Sequence, residues 1–87
     1  MMQLNKGIIM QWIFLRDKFR KDLVDYIKTN SSYRTAANYT RIQVSTLHRI
    51  ARGKRDVYMD EFLAICNFMD KDSVEYFDTA LYQRRLF

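Results

Sequence analysis

The chain contains no proline and only two glycines, Gly7 and Gly53, in 87 residues. Turn-rich sheets are punctuated by these two residues, so their scarcity favours a helical fold. Two glycines are also too few for a phosphate-cradling loop of the GxGxxG or GxxxxGK(S/T) type. The length corresponds to one domain, and an apolar content of 48% is too high for a disordered tail. The expectation is a single all-α domain over 1–87, a compact bundle of about five helices.

Helical spacing locates the elements. Trp12, Leu15, Phe19, Leu23, Tyr26 and Ile27 recur at steps of three and four, which predicts a first helix over Trp12 to Lys28. Ile8 continues that stripe towards Gly7, and 1–11 is read as an N-terminal extension. Asn30, Ser31 and Ser32 interrupt the pattern and offer capping oxygens. A short helix is expected from Tyr33 to Tyr39, with Ala36 and Ala37 facing inward or a contact, followed by a turn at Thr40 and Arg41. A third helix from about Gln43 to Arg52 buries Leu47 and Ile50 and stops at Gly53, the residue best suited to a left-handed position beyond a helix end. Lys54 to Val57 read as a loop. A fourth helix covers Met59 to Met69, with Asp60 and Glu61 at its positive end, and Ser73 to Arg84 is expected to form a last helix bearing Val74, Phe77 and Leu81.

Counting narrows the chemistry. The lone Cys66 cannot form an internal disulfide, and with the single His48 it cannot make a four-ligand zinc site. Cys66 falls on an apolar face and reads as a buried structural thiol. No metal, cofactor or catalytic group is expected, and nothing in the chain speaks for an enzyme. The apolar run Ile8 to Leu15 is shorter than a membrane span, and no small-residue cleavage site follows it. A reducing, cytoplasmic location is expected.

Charge is unevenly distributed. From Tyr26 to Arg55 the chain carries seven basic residues (Lys28, Arg34, Arg41, Arg49, Arg52, Lys54 and Arg55) and no acid. The remainder holds eight basic residues against all ten acids. A basic segment with nothing to neutralise it is the footprint of a polyanion partner. Most of the aromatic residues, among them Trp12, Phe19, Phe62 and Phe77, lie on helical stripes and read as core rather than as single-strand stacking platforms.

The short connection between the second and third helices has the spacing of a helix-turn-helix. The residues Ser32-Tyr33-Arg34-Thr35-Ala36-Ala37, followed by Ile42-Gln43-Val44-Ser45-Thr46-Leu47-His48-Arg49-Ile50-Ala51-Arg52-Gly53, resemble the Cro/XRE-type helix-turn-helix family of phage repressors and related bacterial regulators. Ala37 matches the small residue within the first motif helix, and Ile42 the apolar residue after the turn. Leu47 and Ile50 match the buried aliphatics, and Arg52-Gly53-Lys54-Arg55 the basic end of the recognition helix. Two positions depart: Arg41 stands where the family commonly has Gly, and Gln43 where it often has a Ser cap. Arg41 either keeps a left-handed backbone at about 1 kcal/mol or reshapes the turn.

The resemblance implies a lambda-repressor-like DNA-binding fold, with the helix-turn-helix at about 33–52. Gln43, Val44, Ser45, Thr46, His48 and Arg49 would face base edges, and Tyr33, Arg34, Arg52, Lys54 and Arg55 would hold phosphates. The implied protein is a repressor of phage or mobile-element type that binds a palindromic operator in double-stranded DNA. A single module binds weakly, so a homodimer is expected through the C-terminal helix and tail, 73–87, with Phe77, Leu81, Tyr82, Leu86 and Phe87. A protein partner or antirepressor would fit the same scheme. The competing reading is an antitoxin-like or adaptor module that binds protein.

Overall fold

Tyr76 is the largest side chain with no solvent exposure, and the two ends of the described chain are organised around it. The computed structural model describes residues 13–78. In chain order these form β1 (Ile13–Phe14), α1 (Arg16–Asn30), α2 (Tyr33–Thr40), α3 (Val44–Ala51), α4 (Met59–Phe68), a 3-10 turn (Ser73–Tyr76) and β2 (Phe77–Asp78). The fold is compact and mostly helical, as an all-α reading requires, with four α-helices among the described residues rather than five. Trp12, the extension 1–11, and Leu81, Tyr82, Leu86 and Phe87 lie outside the described residues.

The α1 stripe buries Phe19, Leu23 and Ile27, one residue per turn. Leu47 and Ile50 of α3 meet it from one side, and Phe62, Ile65 and Cys66 of α4 complete the core. Burial pushes the Cys66 thiol up to about 11, which keeps it protonated and inert at neutral pH.

Both ends depart from the helical expectation. The first helix begins at Arg16, not Trp12, and runs on to Asn30. Ile13 and Phe14 instead pair antiparallel with Asp78 and Phe77. The Leu15 N–H donates to the Tyr76 carbonyl at 2.8 Å, tying the chain ahead of α1 to the 3-10 turn that precedes β2. Of the helix expected from Ser73 to Arg84, the described part is a single 3-10 turn that gives way to β2, and residues 79–84 lie outside the described residues. A helix there would turn Val74 and Phe77 inward together. The structure instead exposes Val74, half-buries Phe77 and plugs the core with Tyr76. The Tyr76 hydroxyl donates to Asp22 at 2.8 Å, so the ring is buried without an orphaned polar group. Phe14, Phe19, Phe62, Tyr76 and Phe77 form one cluster of tilted and edge-to-face rings, which a continuous helix would break apart.

Candidate functional site

The basic segment runs from the end of α1, which carries Lys28, through α2, the turn and α3 into the loop before α4. Ser32 caps α2 with its hydroxyl, which accepts the Thr35 N–H at 3.1 Å. Ala36 is completely buried where α2 lies against its neighbours, and Ala37 is half-buried beside it. At the end of α2 the buried Thr40 hydroxyl donates to the Ala36 carbonyl at 2.7 Å and accepts the Ile42 N–H at 3.3 Å. That hydroxyl closes the turn from inside while Ile42 anchors it in the core. Arg41, between them, has φ 64° and ψ 25°, so it keeps the left-handed backbone and the turn is not reshaped. Its side chain is exposed.

Gln43 precedes α3 without making a side-chain cap, and α3 starts at Val44. Leu47, Ile50 and Ala51 point into the core. The opposite side presents Gln43, Val44, Ser45 and Arg49, with Thr46 half-buried beside them. Arg49 reaches the Thr46 hydroxyl at 3.5 Å. His48 stacks on Tyr33 with ring centroids 3.8 Å apart and an interplanar angle of 25°, joining α3 to the start of α2. Both rings are half-buried, so they stand at the edge of the face, not at its front.

α3 ends as Gly53 requires. Gly53 has φ +75°, its N–H donates to the Ile50 carbonyl, and the Lys54 N–H donates to the Arg49 carbonyl. Arg52 and Lys54 are exposed just beyond. Arg55 behaves differently. Its guanidinium donates to both Glu61 carboxylate oxygens at 2.8 and 3.0 Å and lies 4.5 Å over the Tyr58 ring. Glu61 also accepts the Tyr58 N–H at 2.9 Å. The Arg55 hydrogen bonds hold the Glu61 carboxyl below its ordinary value. Arg55 therefore fastens the α3–α4 loop to the start of α4, and its charge is compensated within the molecule.

Ion pairing divides the cations into two groups. Outside the basic segment, every described cation has a carboxylate partner: Arg16 with Asp56, Lys18 and Lys71 with Glu75, Arg20 with Asp17, and Lys21 with Asp25. Inside the segment, Arg55 alone is paired among the described residues. Lys28, Arg34, Arg41, Arg49, Arg52 and Lys54 have no carboxylate within 4.0 Å among the described residues. All six side chains are exposed. Such a surface suits a polyanion.

Comparison with known protein families, characterised proteins and solved structures finds no match to this chain. Of the residues expected from sequence, Arg34, Gln43, Val44, Ser45, Thr46, Arg49, Arg52 and Lys54 line the exposed surface, with Tyr33 and His48 at its edge. Arg55 is withdrawn from it. Sequence reasoning counted Arg41 in the basic segment but not among the residues expected to hold phosphates. Its place in a basic window was the available signal. Among the described residues no helix is long and apolar enough to cross a membrane.

Proposed function

We propose that this chain is a sequence-specific double-stranded DNA-binding regulator, a repressor of phage or mobile-element type acting in the cytoplasm. In this reading α2, the Arg41–Gln43 turn and α3 are a helix-turn-helix, and α3 enters the major groove N-terminus first. The observation that carries it is the partition of charge: cations elsewhere in the described chain have carboxylate partners, whereas Arg34, Arg41, Arg49, Arg52 and Lys54 around α2 and α3, with Lys28 at the end of α1, have none among the described residues. Phosphates would take the place of the missing carboxylates.

Gln43, Val44, Ser45, Thr46 and Arg49 are the base-reading set. Gln suits adenine, Arg suits guanine, and Val or a Thr methyl suits the thymine methyl. Arg34, Arg41, Arg52 and Lys54 hold phosphates. Tyr33 and His48 support the front of α3 through their stack, from where either can reach the backbone of the duplex. Arg55 orders the loop that presents Arg52 and Lys54.

A homodimer on a palindromic site completes the reading. Met59, Leu63 and Val74, at 62%, 49% and 57% exposure, form an apolar groove with Phe62 and Phe77 that a second copy would cover. The same groove is the observation that favours the alternative, an adaptor that binds a protein partner.

The test is to select duplexes from a random library and measure affinity by fluorescence anisotropy. Thr46→Ala combined with Arg49→Ala is expected to abolish preference for the selected duplex while circular dichroism stays unchanged. Preference that survives the double substitution would overturn the assignment of α3.

A further inference from the structure

α3 is only eight residues long, too short to hold its own geometry, so what fixes its far end decides how its front is presented. Its last four carbonyls need partners. Three are met locally: His48 by the Arg52 N–H, Arg49 by the Lys54 N–H and Ile50 by the Gly53 N–H. The fourth, Ala51, is met from another helix. Arg20 of α1 donates its Nε–H to the Ala51 carbonyl at 3.3 Å, and its Nη1 is held by Asp17 at 2.9 Å. The guanidinium lies flat against the backbone of Gly53, where an added Cβ would stand 2.9 Å from the Arg20 Cζ. A positive group is thereby set at the negative end of the α3 dipole.

We propose that Arg20 is a positioning residue that locks the C-terminal end of α3 to α1 and so sets sequence discrimination without touching DNA. Gly53 serves this lock as well as the turn, because its missing Cβ is the space the guanidinium occupies. The effect on discrimination rests on the DNA-binding reading above; the lock itself does not.

The experiment is a double-mutant cycle with Arg20→Leu, Gly53→Ala and the combination, beside Lys21→Ala as a control that breaks a different α1 ion pair. Amide hydrogen exchange reports the lock. Arg20→Leu is expected to lower protection across α3 about tenfold more than across α1 and α4. Gly53→Ala is expected to lower it through left-handed strain, which remains in either background, and through a clash with the guanidinium, which disappears where Arg20 is already Leu, so that the combined loss is less than additive. Should Arg20→Leu fail to fold, Arg20→Lys takes its place in the cycle, with partial loss in α3 expected. Strictly additive effects, or a loss of protection shared evenly by all helices, would overturn the lock. With duplex DNA, Arg20→Leu is expected to erode selected-over-scrambled preference about tenfold at an unchanged salt slope, because its charge is already matched by Asp17. Unchanged preference alongside a loosened α3 would overturn the link to discrimination. A parent chain with no duplex preference would instead defeat the DNA-binding reading, and exchange alone would decide the lock.

Discussion

Replacing Thr40 isolates the one side chain that closes the α2–α3 turn from within. Thr40 is 8% exposed, and its hydroxyl both donates to Ala36 and serves the Ile42 N–H. Thr40→Val keeps the shape and removes both bonds, leaving the Ile42 N–H without its acceptor inside the fold. A buried donor stranded in this way costs about 1–3 kcal/mol. Thr40→Ser keeps the hydroxyl and removes one methyl, worth about 0.8 kcal/mol when buried. Valine should therefore destabilise by about 2 kcal/mol and serine by under half of that. For a domain of this size these correspond to falls in Tm of about 8–16 °C and about 3–6 °C. Urea unfolding followed by circular dichroism measures both, with equal slopes expected for parent and variants. If valine proves no worse than serine, the hydroxyl does not hold the turn and the reasoning fails.

Other outcomes follow from the same geometry. Arg41→Gly should relieve left-handed strain of about 1–2 kcal/mol, offset by about 0.4–1 kcal/mol of unfolded-chain entropy, so a small gain in stability is expected in thermal melts. Glu61 contributes stability that is complete above its ordinary value of 4.5 and is lost as pH falls through its lowered folded-state value. The parent should therefore lose stability below about pH 4.5 more steeply than Glu61→Gln, as unfolding across pH 2–7 would reveal. Tyr76→Phe removes the bond to Asp22 and should cost about 1–2 kcal/mol in the same unfolding assay.

Helices α1 to α4 were legible in the sequence because their core residues recur at helical spacing, as Phe19, Leu23 and Ile27 do. Ser32 and Gly53 were legible as helix boundaries because few other residues suit those positions. The strands at either end were not legible. Ile13 and Phe14 fall within the expected first helix but off its apolar stripe, and only pairing with Asp78 and Phe77, far along the chain, makes them a strand. The αL residue Asp70, which ends α4 with φ 56°, gave no signal of the kind Gly53 gave. Arg41 left two geometries open, and the Thr40 hydroxyl with the buried Ile42 selects one.

The site was legible in outline, since charge density is a property of sequence. Which charges are free is a property of the fold. Glu61 lies only six residues beyond Arg55, yet nothing in the spacing says that the loop will fold back to join them. Arg20 lies 31 residues before the carbonyl it meets, so its role could not be read from the chain at all.

The most direct measurement is anisotropy with a library-selected duplex and a scrambled duplex of equal length, across a salt series. The expected result is a preference for the selected duplex that persists at physiological salt, with a steep slope that becomes shallower by about 0.9 when Arg52 or Lys54 is replaced by Ala. Equal binding of both duplexes that vanishes as salt rises would contradict sequence-specific recognition and reduce the site to a basic surface.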